Sequence, residues 1–170
     1  MSRLLPARRA LWPIGVALCT IGTVAAACSH DSPASPKARP DANPSLHWGP
    51  APSVFAPGAQ FAVVAGDPSQ PGVPFTVRLR FPNGYEIMPH THPTDERVTV
   101  LDGTFRVGMG TTFDASAMTA VPTGGTVTAP AEHAHYAQAQ GVTTVQVDAI
   151  GPFVLTYVNP DDAPRRRGAP

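Results

Sequence analysis

The sequence predicts an all-β domain, built as a sandwich or a barrel of short strands. Three observations lead to this prediction: apolar and polar residues alternate at the period of a strand, turn residues are frequent, and no sustained helical period is present. The 170 residues include 21 prolines and 15 glycines, which suit many short segments better than long helices. Several short strands in one domain are typical of sandwiches and barrels. We expect the domain to span residues 59–160.

The clearest strand is PFTVRLRF, in which every second residue is apolar. Side chains alternate between the two faces of a strand, so one face of this strand should be buried. The segment Pro82-Asn83-Gly84 follows it and carries the residues of a turn. The apolar face consists of Phe75, Val77, Leu79 and Phe81.

Further strands are expected on both sides of Asp102-Gly103. The segments ERVTVL and TFRVGMG flank this pair, which is typical of a two-residue hairpin. GGTVTAP, HYAQAQ, VTTVQVDAI and FVLTYVN complete the set of strands. In FDASAMTA, Asp114 is placed to cap a single helical turn.

Residues 1–27 have the pattern of a lipoprotein-type signal peptide. Arg3, Arg8 and Arg9 precede the uncharged run LWPIGVALCTIGTVAAA, and Cys28 follows it. AAAC resembles the lipobox of bacterial lipoproteins, which are cut before a cysteine that then receives lipid. We therefore expect an exported, membrane-anchored lipoprotein that faces the periplasm or the cell exterior. An uncleaved anchor and secretion without lipid are the alternatives.

Composition divides the rest of the chain. Residues 28–58 are rich in proline, alanine, serine and aspartate, which predicts an extended tether, and residues 161–170 are expected to form a disordered tail. Cys19 and Cys28 are the only cysteines, so a chain cut before Cys28 cannot form an internal disulfide. The 12 basic and 12 acidic residues balance, and no basic patch indicates a nucleic-acid partner.

Two H-x-H pairs suggest a metal site. His90 and His92 would project from one face of a strand, Glu96 follows, and either His133 or His135 could add a ligand from a distant strand. Imidazole suits Zn, Fe, Ni, Cu and Mn, and a carboxylate favours Fe(II) or Mn(II). Asp95 is a rival for Glu96, but it would point to the opposite face. A solvent-facing or packed histidine pair is the simpler alternative.

These segments resemble the two sequence motifs of the cupins. Gly84-YEIMP-His90-Thr91-His92-PTD-Glu96-RVTVLD-Gly103 looks like G-x5-H-x-H-x3-E-x6-G, with every fixed position filled. Gly124-GTVTA-Pro130-Ala131-Glu132-His133-Ala134-His135 is similar to G-x5-P-x-G-x2-H, but Glu132 replaces the glycine. Ala139 also occupies a position where asparagine is usual. The resemblance covers residues 60 to 159, and small single-domain bacterial cupins are the most similar.

The resemblance implies a double-stranded β-helix, a jelly-roll barrel that forms a single cupin domain. It implies one divalent transition metal (Fe, Mn, Zn or Ni) and a homodimer formed through edge strands. His133 matches no ligand position and is expected to be exposed or at the pocket rim. The implied metal ligands are His90, His92, Glu96 and His135.

The function implied is that of a metal-binding cupin-domain lipoprotein. The leading hypothesis is a metal-dependent oxidoreductase of dioxygenase type that acts on a small organic molecule, and isomerases also occur among cupins. The alternatives are a non-enzymatic binding or sensor module for a metal or small ligand, and a structural fold with a vestigial site. The sequence has no G-x-S-x-G elbow, no glycine-rich phosphate loop and no cysteine within the domain. Candidate helper residues are Arg80, Tyr85, His133 and Tyr136.

Overall fold

The computed structural model describes residues 46–164, and this part is built of antiparallel β-strands, as predicted. Two 3-10 helices, Ala115–Ala117 and Pro160–Asp162, accompany them. The leader, Cys28, the first part of the tether and the last six residues lie outside the described residues. The strands within 46–164 are Gly49–Pro50 (β1), Gln60–Ala65 (β2), Pro74–Phe81 (β3), Glu86–Thr91 (β4), Glu96–Met109 (β5), Thr119–Pro122 (β6), Thr126–Ala129 (β7), His135–Ile150 (β8) and Thr156–Tyr157 (β9).

The sheet curls around strand β8, which has neighbours on both edges. The first half of β8 pairs with β4, and the second half pairs with β3. Along its other edge β8 pairs with β5 over most of its length, and β5 also pairs with β6 and β7. The predicted all-β jelly-roll barrel is confirmed. The first residue of β5 and the first residue of β8 are both brought towards β4.

Residues 96–109 form one bent strand, so the hairpin predicted at Asp102-Gly103 is wrong. The register between β5 and β8 shifts on both sides of Asp102, which makes this pair a β-bulge. Gly103 has a φ of 80°, and a β-carbon there would lie 2.6 Å from the carbonyl oxygen of Val142. Gly141, with a φ of 78°, lies within β8, so HYAQAQ and VTTVQVDAI also belong to one strand.

The alternation in β3 fills the barrel interior as predicted. Its four apolar residues are at most 3% exposed, and Val77 and Leu79 are paired with Val147 and Val145 of β8. Burying side chains of this size contributes about 1.5–3 kcal/mol each. The predicted turn follows, since the Tyr85 amide donates to the carbonyl of Pro82 at 3.2 Å. This turn leads directly into β4, which carries the first histidine pair.

Residues 46–58, which the sequence assigns to the tether, pack against the barrel in the described structure. Strand β1 pairs with β2, and Phe55 is only 5% exposed. The Phe55 ring lies 6.3 Å from the ring of Phe81 and 6.2 Å from that of Phe153. The hydroxyls of Tyr85 and Tyr157 donate to backbone carbonyls of this segment at 2.7 and 2.8 Å. Buried aromatic area therefore outweighs the proline-rich composition.

Short caps mark two other points of the chain. Asp114 caps the predicted helical turn, because its carboxylate accepts from the amide of Ser116 at 2.8 Å. Asn159 caps the second 3-10 helix by accepting from the amide of Asp161 at 3.1 Å, so order continues into the first residues of the predicted tail.

Within residues 46–164, no helix has the length and apolar character needed to span a membrane.

Candidate metal centre

Three of the predicted ligands meet inside the barrel. His90 lies in β4 opposite His135, the first residue of β8, and His92 follows just after β4. All three side chains are buried, and one ring nitrogen from each lies within 4.8 Å of the other two. The H-x-H spacing thus brings two imidazoles to the same side of the chain at the end of β4, and the pairing of β4 with β8 adds the third. An ion placed among these nitrogens could contact all three.

Glu96 completes the cluster from the first position of β5. Its Oε2 atom lies 3.3 Å from Nε2 of His92 and 3.6 Å from Nε2 of His135. Burial raises the pKa of this carboxyl, but the interactions of its charge with the nearby His135 and His92 outweigh burial and hold the pKa well below its usual range. Glu96 is therefore an anion at neutral pH and offers oxygen as a ligand.

A backbone carbonyl lies beside the Nδ1 atom of each histidine. The distances are 2.7 Å from His90 to the carbonyl of Met88, 2.7 Å from His92 to that of Val154, and 3.1 Å from His135 to that of His133. A carbonyl can only accept, so each Nδ1 carries a hydrogen and each neutral ring has its lone pair on Nε2. Such contacts orient histidine ligands in metal sites.

The protonation of the cluster suits a divalent cation. Burial, together with the neighbouring charges of His135 and His92, lowers the pKa of His90 to about 3, so this ring is neutral without a metal. Burial also lowers the pKa of His92, but Glu96 and the carbonyl of Val154 outweigh it and raise the pKa. Nε2 of His92 is buried and makes no hydrogen bond of acceptable geometry with the described residues. Three imidazoles and a carboxylate therefore fit a transition-metal ion.

Asp95 stands outside the cluster and joins the two segments that carry it. Its carboxylate accepts from the amide of Ala131 at 2.8 Å, and the amide of Glu132 donates to the carbonyl of His92 at 2.8 Å. These two bonds hold the 92–96 loop against the turn that precedes His135. Asp95, the rival for Glu96, is an exposed residue that positions the loop.

Replacing Asp95 with alanine should weaken metal binding by about tenfold, because partners that orient ligands typically contribute this much. Asp95→Asn should stay within about twofold of the unchanged chain, since an amide oxygen can accept the same bond. Competition titration with a metal chelator measures both affinities. Equal affinities for the alanine and asparagine variants would show that this bond does not position the ligands.

Glu132 has a backbone conformation that favours glycine. Its φ is 59°, within a turn where the amide of His133 donates to the carbonyl of Pro130 at 3.2 Å. Residues with a β-carbon disfavour this left-handed region of backbone angles, whereas glycine adopts it easily. Glu132, which stands where the similar motif has glycine, therefore carries a cost in backbone strain.

Glu132→Gly should raise the free energy of unfolding by roughly 0.5–1 kcal/mol, because relief of the left-handed conformation outweighs the added freedom of the unfolded chain. Thermal unfolding should show a melting temperature a few degrees higher. Glu132→Ala is the matched control and should bring no gain, because alanine keeps the β-carbon. A gain of the same size in both variants would point to the charge of Glu132.

The remaining candidate helpers do not line the cavity. His133 is exposed, as expected, with Nδ1 at 3.0 Å from the carbonyl of Ala131. The hydroxyl of Tyr85 donates to the backbone carbonyl of Ala56, and that of Tyr136 donates to the backbone carbonyl of Asp114 at 3.2 Å. Arg80 lies over the ring of Trp48, 4.4 Å from its centre. These contacts indicate structural roles for the two tyrosines and Arg80.

A cavity extends from the cluster into the barrel. Its polar lining consists of the four clustered residues and Thr128, and its other walls are apolar. It offers about 30 Å³ for the centres of water-sized molecules, and one such molecule needs roughly 10–15 Å³. Met109 lines it while 52% exposed, and Thr128 is exposed too. Met109 is not predicted as a site residue, because its pairing with His135 follows from the long β5–β8 register and not from any local pattern.

Comparisons with known proteins bear on the fold. No protein-family model and no curated protein matches the sequence. A polyketide cyclase from Streptomyces resistomycificus superposes with a TM-score of 0.56 at 14% identity, covering 68% of this chain and 81% of that chain. A Methylibium petroleiphilum protein, proposed to be an acetylacetone dioxygenase, gives 0.54 at 20% identity, covering 71% and 81%. An RmlC-like cupin from Shewanella frigidimarina gives 0.48 at 16% identity, covering 64% and 85%.

Likeness at these identities bears on the fold alone. The first two superpositions, together with the strand pairing around β8, lead to one conclusion: the described part of the chain has the all-β jelly-roll barrel fold.

Proposed function

We propose that the chain is a metal-binding cupin-domain lipoprotein that acts as a metal-dependent oxidoreductase of dioxygenase type on a small organic molecule. The observation that carries the proposal is the cluster itself, in which ring nitrogens of His90, His92 and His135 lie within 4.8 Å of one another. Glu96 supplies a buried carboxylate beside them. This donor set is suited to Fe, Mn, Zn or Ni.

A divalent ion held by His90, His92, Glu96 and His135 would supply Lewis-acid chemistry and, if redox-active, electron transfer. The chain's own residues prepare the site. The carbonyls beside each Nδ1 keep every Nε2 available as a ligand, and the Glu96 anion offsets part of the charge of the ion. The apolar walls of the cavity exclude bulk water from a bound molecule, which strengthens electrostatic interactions there.

Elemental analysis and oxygen uptake test the proposal together. The purified chain should contain one transition-metal ion, and O2 consumption should begin when a suitable substrate is added. Acetylacetone is a first substrate to try, because a solved structure of similar fold is proposed to be an acetylacetone dioxygenase, and catechol is a phenolic alternative. Bound metal without O2 uptake for any such compound would favour the non-enzymatic binding or sensor module. A chain without metal would contradict both functions.

Export and lipid anchoring are proposed from AAAC at residues 25–28. Cys28→Ser should abolish acylation, because serine has no thiol to accept the lipid. Most of the protein should then leave the membrane fraction, as measured by immunoblotting after cell fractionation. Cys19→Ser is the matched control and should leave fractionation unchanged. Full membrane retention of the Cys28 variant would instead indicate an uncleaved anchor.

The homodimer expected from the resemblance to cupins stays a prediction.

A further inference from the structure

We infer that the cavity binds a short molecule with one polar end and an uncharged, apolar remainder, and that Met109 limits the length of that remainder. The polar end would face the cluster of His90, His92, Glu96 and His135. This inference rests on the proposed metal site and narrows its small organic molecule to one chemical class. Short ketones and monocarboxylates belong to this class and are expected to bind. Sugars, amino acids and dicarboxylates carry further polar or charged groups and are expected to bind poorly.

The lining of the cavity sets the polarity of the ligand. Fourteen apolar and five polar residues line it, and four of the five polar residues form the cluster. The fifth, Thr128, is exposed and lies at the rim, in β7 next to the residue paired with Glu96. None of the lining residues in the described part of the chain is a lysine or an arginine. A second charged end would therefore be buried without a partner, which is costly.

The free space sets the size of the ligand. About 30 Å³ for the centres of water-sized molecules corresponds to roughly two to three waters. The side walls are strand residues such as Val98, Phe105 and Ala137, which are at most 5% exposed. Closely packed walls of this kind move little. Only a short molecule fits unless part of the rim gives way.

Met109 is the part of the rim that can give way. It is paired with His135 across β5 and β8, and directly paired residues of neighbouring strands project from the same face. Its side chain thus lies beside the cluster while 52% of it is exposed. Methionine is unbranched and adapts its shape easily. Shortening this side chain should admit a longer ligand without disturbing the core.

Isothermal titration of the full chain, loaded with zinc, tests the inference without relying on turnover. Butanoate and succinate have the same number of carbons, but succinate adds a second carboxylate. We expect succinate to bind at least about tenfold more weakly than butanoate, since its second charge finds no partner. Equal or tighter binding of succinate would overturn the assigned polarity.

The length limit is tested with 4-phenylbutanoate. Met109→Ala should bind it at least about fivefold more tightly than the unchanged chain does, whereas Val142→Ala should not differ. Val142 is the matched control because it is 60% exposed and does not line the cavity. Unchanged affinity in the Met109 variant would overturn the role of this side chain. Failure to load zinc would overturn the metal site and this inference together, whereas zinc loading with the wrong selectivity overturns the inference alone.

Discussion

Replacing His135 with alanine should lower metal affinity by at least about 100-fold, since changes that only disturb ligand orientation already cost 10- to 100-fold. The substitution removes one of the three imidazoles. Of the two histidines that lie close to Glu96, only His92 then remains. Elemental analysis after dialysis should find almost no metal. Circular dichroism should still show the β-sheet, because the core is formed by apolar residues of β3, β5 and β8.

His133→Ala is the matched control for this experiment. His133 belongs to the same H-x-H pair, but its side chain is exposed and its ring faces the carbonyl of Ala131. This variant should retain metal at the level of the unchanged chain. Equal loss in both variants would mean that the second histidine pair acts as a unit, or that neither residue is a ligand. Full retention of metal in the His135 variant would contradict the proposed ligand set.

Phe55→Ala should lower the free energy of unfolding by about 3–5 kcal/mol, the usual cost of removing a buried phenylalanine ring. Phe55 is 5% exposed, stacks on Phe153, lies beside the ring of Phe81 and lines the cavity. Its removal leaves a void that the surrounding strands cannot fill. Thermal or chemical unfolding monitored by circular dichroism measures the loss, which should lower the melting temperature by at least about 10 °C.

Val63→Ala provides the comparison, because Val63 lies in β2 with 44% of its side chain exposed. Substitutions at such positions usually change stability by less than about 0.5 kcal/mol. A Phe55 variant as stable as the Val63 variant would show that residues 46–58 act only as a tether, as their composition suggests.

The positions of His90 and His92 could be predicted from the sequence because they depend only on the spacing of neighbouring residues. Two histidines separated by one residue share a strand face wherever that strand lies. The alternation in β3 likewise needs no knowledge of its neighbours. The resemblance to cupin motifs adds His135, which no local pattern could have paired with His90. The structure then places Glu96 beside His92 and His135.

The errors arise where distant residues decide the local structure. Asp102-Gly103 has the composition of a hairpin turn, but β8 pairs with both flanking segments and turns the pair into a bulge. Phe55 lies among prolines, and its burial depends on Phe153 nearly a hundred residues later. Asp95 could be judged only as a rival ligand, because its bond to Ala131 joins two loops that are distant in sequence.

Anomalous X-ray scattering from crystals of the metal-loaded chain, recorded at the absorption edge of the bound metal, tests the proposed site most directly. We expect a single strong peak inside the barrel, within bonding distance of Nε2 of His90, His92 and His135 and of the Glu96 carboxylate. A metal bound elsewhere, or a peak that His135 does not contact, would contradict the site and the function proposed from it.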